Sequence, residues 1–162
     1  MDFKNYKKNL INLFIISVPI FLLDRLSKLY VIYLNNKFEK SEIFFSKFIN
    51  ISLIWNEGIA FGIFAFTNNV YYHSLTGIIA IIIIFVFNFA IKSHGIERYS
   101  FMMILGGSLG NIFDRLYYFA VPDFIDIHFN NFHWFTFNVA DIFITVGVII
   151  LICNEIFKKN EV

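Results

Sequence analysis

The chain has 162 residues, of which 58% are hydrophobic, 20% aromatic and only 15% charged, with a net charge of +1 and a mean hydropathy of +0.67. Soluble domains are about 45–50% apolar and about 25% charged, so this composition excludes a disordered chain, a disulfide scaffold and a basic nucleic-acid binder. What remains is an integral membrane protein, of a length that suits one domain over residues 1–162.

A helix that crosses the hydrocarbon layer needs roughly 20 mainly apolar residues. The uncharged run Leu10–Leu23 is too short, but apolar character resumes at Leu26. The pattern therefore predicts one span over residues 10–34, carrying Asp24, Arg25 and Lys28 in its last third. A secretory signal peptide is the rival reading of Lys4, Lys7 and Lys8 ahead of an apolar run. Against it, the small-residue cleavage pattern is missing and Asp24-Arg25 stands in its place.

A long loop, residues 35–71, follows. Within it Ile49-Asn50-Ile51-Ser52-Leu53 alternates apolar and polar, which predicts a strand through Trp55. Ile59 to Phe66 carries no charge and reads as a segment lying in the membrane interface. Further spans are predicted over residues 72–91, 99–119 and 137–157, with a short connection between the last two. Cys153 stands alone in an apolar run and reads as a packing residue. The fold class is all-α integral membrane: four transmembrane helices, a small extracytoplasmic β element, and an interfacial segment between helices 1 and 2.

Four spans place both termini on one side. That side carries Lys4, Lys7, Lys8, Lys92, Arg98, Lys158 and Lys159, seven basic residues, against four (Lys37, Lys40, Lys47 and Arg115) on the other. The positive-inside rule puts the termini in the cytoplasm.

Charges within membrane helices are costly and are placed where they pair or do chemistry. Asp24 and Lys28 lie toward the end of span one, Asn111, Asp114 and Arg115 toward the end of span three, and Asn138 and Asp141 at the start of span four. With alternating span directions, all of them reach the same outer layer. Asn111, Asp114 and Arg115 share one helix face by their i, i+3, i+4 spacing, as do Asn138 and Asp141. Asp24 and Lys28, at i and i+4, read as an ion pair. Asp114 reads as a residue that orients Arg115 or caps local backbone, and Arg115 as a clamp on substrate or a structural group. Gly106 and Gly110 have the small-xxx-small spacing of close helix packing.

Two carboxylates held close together cannot both ionise, so one can act as base toward a water and the other as acid toward a leaving amine. Asp141 is one candidate; spacing alone leaves Asp114, Asp123 and Asp126 open as its partner, with Asp126 the one that reads as solvated or supportive. His128 and His133 beside Asp126 are a weak metal signal and read more simply as structural or surface residues.

At these residues the chain resembles the lipoprotein signal peptidases (signal peptidase II), bacterial membrane aspartyl peptidases. The resemblance runs through five ordered blocks: Asp24-Arg25-Leu26-Ser27-Lys28, Asn56-Glu57-Gly58-Ile59-Ala60-Phe61, Gly106 to Arg115, Val121 to Asp126, and Phe137-Asn138-Val139-Ala140-Asp141. It implies a catalytic pair at Asp123 and Asp141, and substrate-binding or supporting roles for Asn56, Gly58, Asn111, Arg115 and Asn138. Asp24, Lys28 and Asp114 become structural polar residues. Implied too are prolipoprotein substrates cut on the amino side of a diacylglyceryl-modified cysteine, no metal or other cofactor, no nucleic-acid partner, a monomer, and the bacterial inner membrane with the site at its outer leaflet. Phe61, Phe64 and Phe66 are expected to contact acyl chains. Ser27 stands where the family usually has Thr, and Pro122 where it commonly has Val. The alternatives are a small proton- or ion-coupled carrier using Asp24, Asp114 and Asp141 as a relay, and a noncatalytic assembly subunit.

Overall fold

The computed structural model describes residues 3–39, 42–58, 69–130 and 132–159. The elements follow the order α1 (Phe3–Phe38), β1 (Glu42–Phe45), β2 (Ile49–Asn56), α2 (Asn69–Lys92), α3 (Gly95–Tyr117), β3 (Val121–Phe129), β4 (Phe132–Phe137) and α4 (Val139–Lys159). The predicted interfacial segment, with Phe61, Phe64 and Phe66, lies outside the described residues.

Among the described residues, α1, α2 and α4 are long and apolar enough to cross a membrane. Their outward faces are what lipid requires: Leu26 on α1, Ile82 and Phe85 on α2, and Ile152 and Phe157 on α4 are all more than half exposed. Helix α3 does not reach the same apolarity, because it carries Gly106, Gly107, Ser108, Asn111, Asp114 and Arg115. It is the inner helix, packed against the other three. Ala or larger at its buried glycines would collide with neighbours: a Cβ on Gly106 would sit 2.8 Å from the Ser17 carbonyl oxygen of α1, and one on Gly107 2.5 Å from the Ala140 carbonyl oxygen of α4. Small residues thus set the helix separations on two sides of α3.

The β element is larger than expected. The strand predicted at Ile49–Trp55 is β2, but it belongs to a four-stranded antiparallel sheet in the order β1-β2-β3-β4. The presumed short connection between spans three and four is the β3–β4 hairpin, and Phe137, taken as the start of span four, ends β4. Asn130, at φ 53° in the left-handed region that Asn tolerates, leads the chain around the tip. Pro122 sits opposite Trp55, where β3 has β2 beside it and β4 has not yet joined at Ile125, a position that tolerates a missing N–H. Val31, Leu53 and Phe124 form a buried cluster joining α1 to β2 and β3, with Val139 of α4 against it. The sheet is thereby fixed on the end of the bundle where α1 and α3 finish and α4 starts.

Candidate active site

The first turn of α4 is built by a reciprocal cap. Asn138 is the residue before the helix, and its Oδ1 accepts from the Asp141 N–H at 3.1 Å. Asp141 Oδ2 accepts in return from the Asn138 N–H at 3.1 Å. This is a capping box, which satisfies backbone donors that a helix start leaves orphaned. Asp24, from α1, accepts from the next free donor, the Ala140 N–H, at 2.9 Å.

Asp24 is one corner of a buried charge network. Lys28 Nζ donates to Asp24 Oδ2 at 2.8 Å, to Asn111 Oδ1 at 2.8 Å and to Asp114 Oδ2 at 2.7 Å, using all three of its donors. The expected Asp24–Lys28 pair is therefore present. Asp114 departs from expectation: its carboxylate binds Lys28 and Arg25 of α1, not Arg115. Arg25 also lies over the Phe113 ring at 4.7 Å. Asp24, Lys28 and Asp114 are wholly buried, where an unpaired charge would be strongly destabilising. The sequence places Arg25 in span one and in the first motif block without assigning it a partner. Its adjacency to Asp24 on a membrane helix, where a charge must find an acid, was the available signal.

This network holds Asn111, which passes the order on. Asn111 Nδ2 donates to Asp141 Oδ1 at 2.9 Å. On β3, Asp123 receives Asn138 Nδ2 at 2.6 Å on Oδ1 and Asn56 Nδ2 at 2.9 Å on Oδ2. Three asparagines from three elements thus fix both carboxylates. Asn56 in turn accepts the Gly58 N–H at 2.9 Å, a tight local turn. Arg115 holds that turn: Nη1 donates to the Gly58 carbonyl, Nη2 to that of Glu57 at 3.4 Å, and Nε to Thr76 Oγ1 at 3.2 Å. Its guanidinium lies 4.6 Å above the Tyr72 ring. All of these partners belong to the protein itself.

Asn56, Asn111, Arg115, Asp123, Asn138 and Asp141 line one cavity of about 140 Å³. Burial, together with the nearby Asp141 carboxylate, pushes the Asp123 carboxyl up to about 6, against the opposing pull of the hydrogen bonds from Asn56 and Asn138. Asp126, by contrast, is three residues further along β3 and so on the opposite face. It is buried rather than solvated, and His133 Nδ1 lies 2.7 Å from its Oδ2. Neither Asp114 nor Asp126 lines the cavity with Asp141. Beside Asp141, across α4, Trp134, Phe135, Phe137, Ile142 and Val146 line an apolar groove of about 480 Å³.

Residues 16–157 match the family model described as signal peptidase (SPase) II. The chain belongs to the signal peptidase II family. It is 49% identical over 157 residues to the lipoprotein signal peptidase of Pelagibacter ubique (strain HTCC1062), covering 97% of this chain and 94% of that one. To the lipoprotein signal peptidase of Anaplasma phagocytophilum (strain HZ) it is 34% identical, covering 96% and 97% of the two chains. Among solved structures, a bacterial membrane enzyme determined by the in meso method at 2.3 Å resolution superposes with a TM-score of 0.73 at 26% identity, over 93% of this chain and 90% of that one. A second such enzyme, at 1.9 Å, gives 0.71 at 26% identity, over 88% and 91%. Membership in the family places the chain among peptidases of the membrane and gives no support to the carrier reading.

Proposed function

We propose that the protein is an aspartic endopeptidase that removes signal peptides from bacterial prolipoproteins, cutting on the amino side of a diacylglyceryl-modified cysteine. The observation that carries this reading is that Asp123 and Asp141 face one cavity while hydrogen bonds from Asn56, Asn111 and Asn138 hold both side chains in place. An enzyme that works by positioning needs reacting groups whose rotamers are locked before substrate arrives.

In the reaction, one carboxylate takes a proton from a water in the cavity, and the water oxygen bonds to the scissile carbonyl carbon. The tetrahedral intermediate collapses as the other carboxyl gives its proton to the departing nitrogen. The products are a signal peptide ending in a carboxylate and a cysteine with a free amino group. A carboxyl raised to about 6, as Asp123 is, is suited to carrying the proton that is passed on.

Four crossings, with α3 as the inner one, keep both termini on one side; the excess of Lys and Arg there supports the cytoplasm for them and the outer leaflet for the sheet and its cavity. A diacylglyceryl anchor confines the substrate to that leaflet, which matches a site at the helix ends. The apolar groove beside Asp141 supports a seat for hydrocarbon next to the reacting groups. Asp24, Lys28 and Asp114 act structurally, and Arg115 positions the Asn56–Gly58 turn. The protein works as a monomer in the lipid bilayer.

The test is purified protein in detergent with a synthetic precursor. The diacylglyceryl-modified form is cut on the amino side of its cysteine, as read by mass spectrometry, and the unmodified form is not. Failure to cut the modified form, or cleavage elsewhere, contradicts the proposal.

A further inference from the structure

The β3–β4 hairpin carries a second polar cluster on the face opposite Asp123. Asp126 and His128 are two apart on β3 and so share a face. His133 is the cross-strand partner of His128, and Asn50 of β2 is that of Asp126. The β3–β4 register shifts between Asp126 and His128. The two imidazole rings stack 5.0 Å apart at 20°. The ligand atoms of Asp126, His128 and His133 all lie within 4.8 Å of one another.

Hydrogen bonding leaves this cluster unfinished. Asp126 Oδ1, His128 Nδ1 and Asn50 Oδ1 are buried and have no hydrogen-bond partner among the described residues. Leaving such groups unsatisfied in a buried setting is destabilising. Asp126 and Asn50 are themselves more than nine-tenths buried, at 7% and 8% exposure. Both of their orphaned atoms are acceptors, and the neutral imidazole nitrogen offers a lone pair as well. What the three share is a lone pair that no donor among the described residues takes.

We infer that Asp126, His128 and His133 form a site for a divalent transition-metal ion, with Asn50 Oδ1 as a further ligand or as acceptor for a metal-bound water. Two imidazoles and one carboxylate suit Zn²⁺, Co²⁺ or Ni²⁺ rather than Mg²⁺ or Ca²⁺, which take mainly oxygen ligands. Ligands at about 2.0 Å from one tetrahedral ion lie about 3.3 Å apart, between the 2.7 Å of the Asp126–His133 contact and the 4.8 Å limit of the group. The ion clips the hairpin to β2 and steadies the strand that carries Asp123; it takes no part in the cleavage chemistry.

The test uses tag-free, full-length protein in detergent, stripped with a chelator and titrated with Zn²⁺ alone or Co²⁺ alone. Expected are one saturable equivalent per chain, visible d–d bands with Co²⁺, and an unfolding midpoint that rises with Zn²⁺. The His133 side chain is 56% exposed, so His133→Ala folds normally, as circular dichroism and the chelator-treated midpoint report. It and His128→Ala each lose the stoichiometric site, whereas His94→Ala, at the opposite end of the bundle, keeps it. Absence of a saturable equivalent in the unmodified protein, or its retention in either hairpin variant, overturns the inference. Either result leaves the peptidase reading to its own assay.

Discussion

Asn138 Nδ2 lies 2.6 Å from Asp123 Oδ1, and this hydrogen bond ties β3 to the first turn of α4. Because the same residue caps the helix through Asp141, two roles are joined in one side chain, and they can be separated. Asn138→Ser keeps a side chain suited to the cap but is too short to reach Asp123. Its expected outcome is an unfolding midpoint close to that of the parent and a fall in kcat of ~10²-fold. Asn138→Ala loses both functions, with about 0.5–2 kcal/mol of stability gone as well.

Lys28 is satisfied by three acceptors and wholly buried. Lys28→Met keeps the length but leaves the Asp24 and Asp114 carboxylates short of a counter-charge. Removing one partner of a buried ion pair costs about 3–5 kcal/mol. Thermal unfolding in detergent should show that loss, accompanied by reduced activity because Asn111 loses its anchor.

Two glycine substitutions should act with opposite sign. A Cβ at Gly107 meets the Ala140 carbonyl oxygen at 2.5 Å and Ile144 Cγ1 at 2.9 Å, whereas one at Gly77 meets nothing within 4 Å. Gly107→Ala should destabilise by about 1–3 kcal/mol and lower turnover by pushing the start of α4 away from α3. Gly77→Ala, in the interior of α2, should stabilise by about 0.5–1 kcal/mol. Unfolding midpoints of the two variants decide the matter.

Asp123 supplies a pH dependence with a definite sign. Its carboxyl is raised from 3.8 to about 6, so the fold favours the protonated form. The associated stability is fully present below the unfolded value, about 3.9, and is lost as pH rises through about 6. Asp123→Asn cannot titrate. The stability of the parent relative to this variant should therefore fall between pH 4 and pH 7, by at most about 3 kcal/mol. A difference that is flat with pH, in unfolding midpoints measured on both proteins, would contradict the placement of this proton.

Much of the fold was legible because lipid imposes simple rules. The long apolar runs gave α1, α2 and α4, and α1 continues past Asp24 because Asp24, Arg25 and Lys28 all face partners inside the bundle. The β3–β4 hairpin was not legible, for a local reason. Val121 to Phe124 are buried in succession, which removes the period-two signal, and the irregularity between Asp126 and His128 breaks it again. Of the candidate site, the five motif blocks led to Asp123 and Asp141, but spacing alone left Asp114 and Asp126 open. Only tertiary pairing separates them, since it is Arg25 and Lys28 that hold Asp114 and His133 that contacts Asp126. The Asn138–Asp141 cap could have been read directly, as Asn followed three residues later by an acid at the head of an apolar helix. The close approach of another helix at Gly106 and Gly110 was read from their spacing, and both lie against α1, at Ser17 and Asp24; the contact of Gly107 with α4 was not part of that pattern.

Single-turnover cleavage of a diacylglyceryl-modified precursor by Asp123→Asn and by Asp141→Asn addresses the dyad itself. Each variant should bind the precursor with an affinity near that of the parent, keep its helical content, and yield no product over many parental half-times. If either variant, folded and substrate-bound, cuts at a rate within tenfold of the parent, the two carboxylates are not the reacting pair.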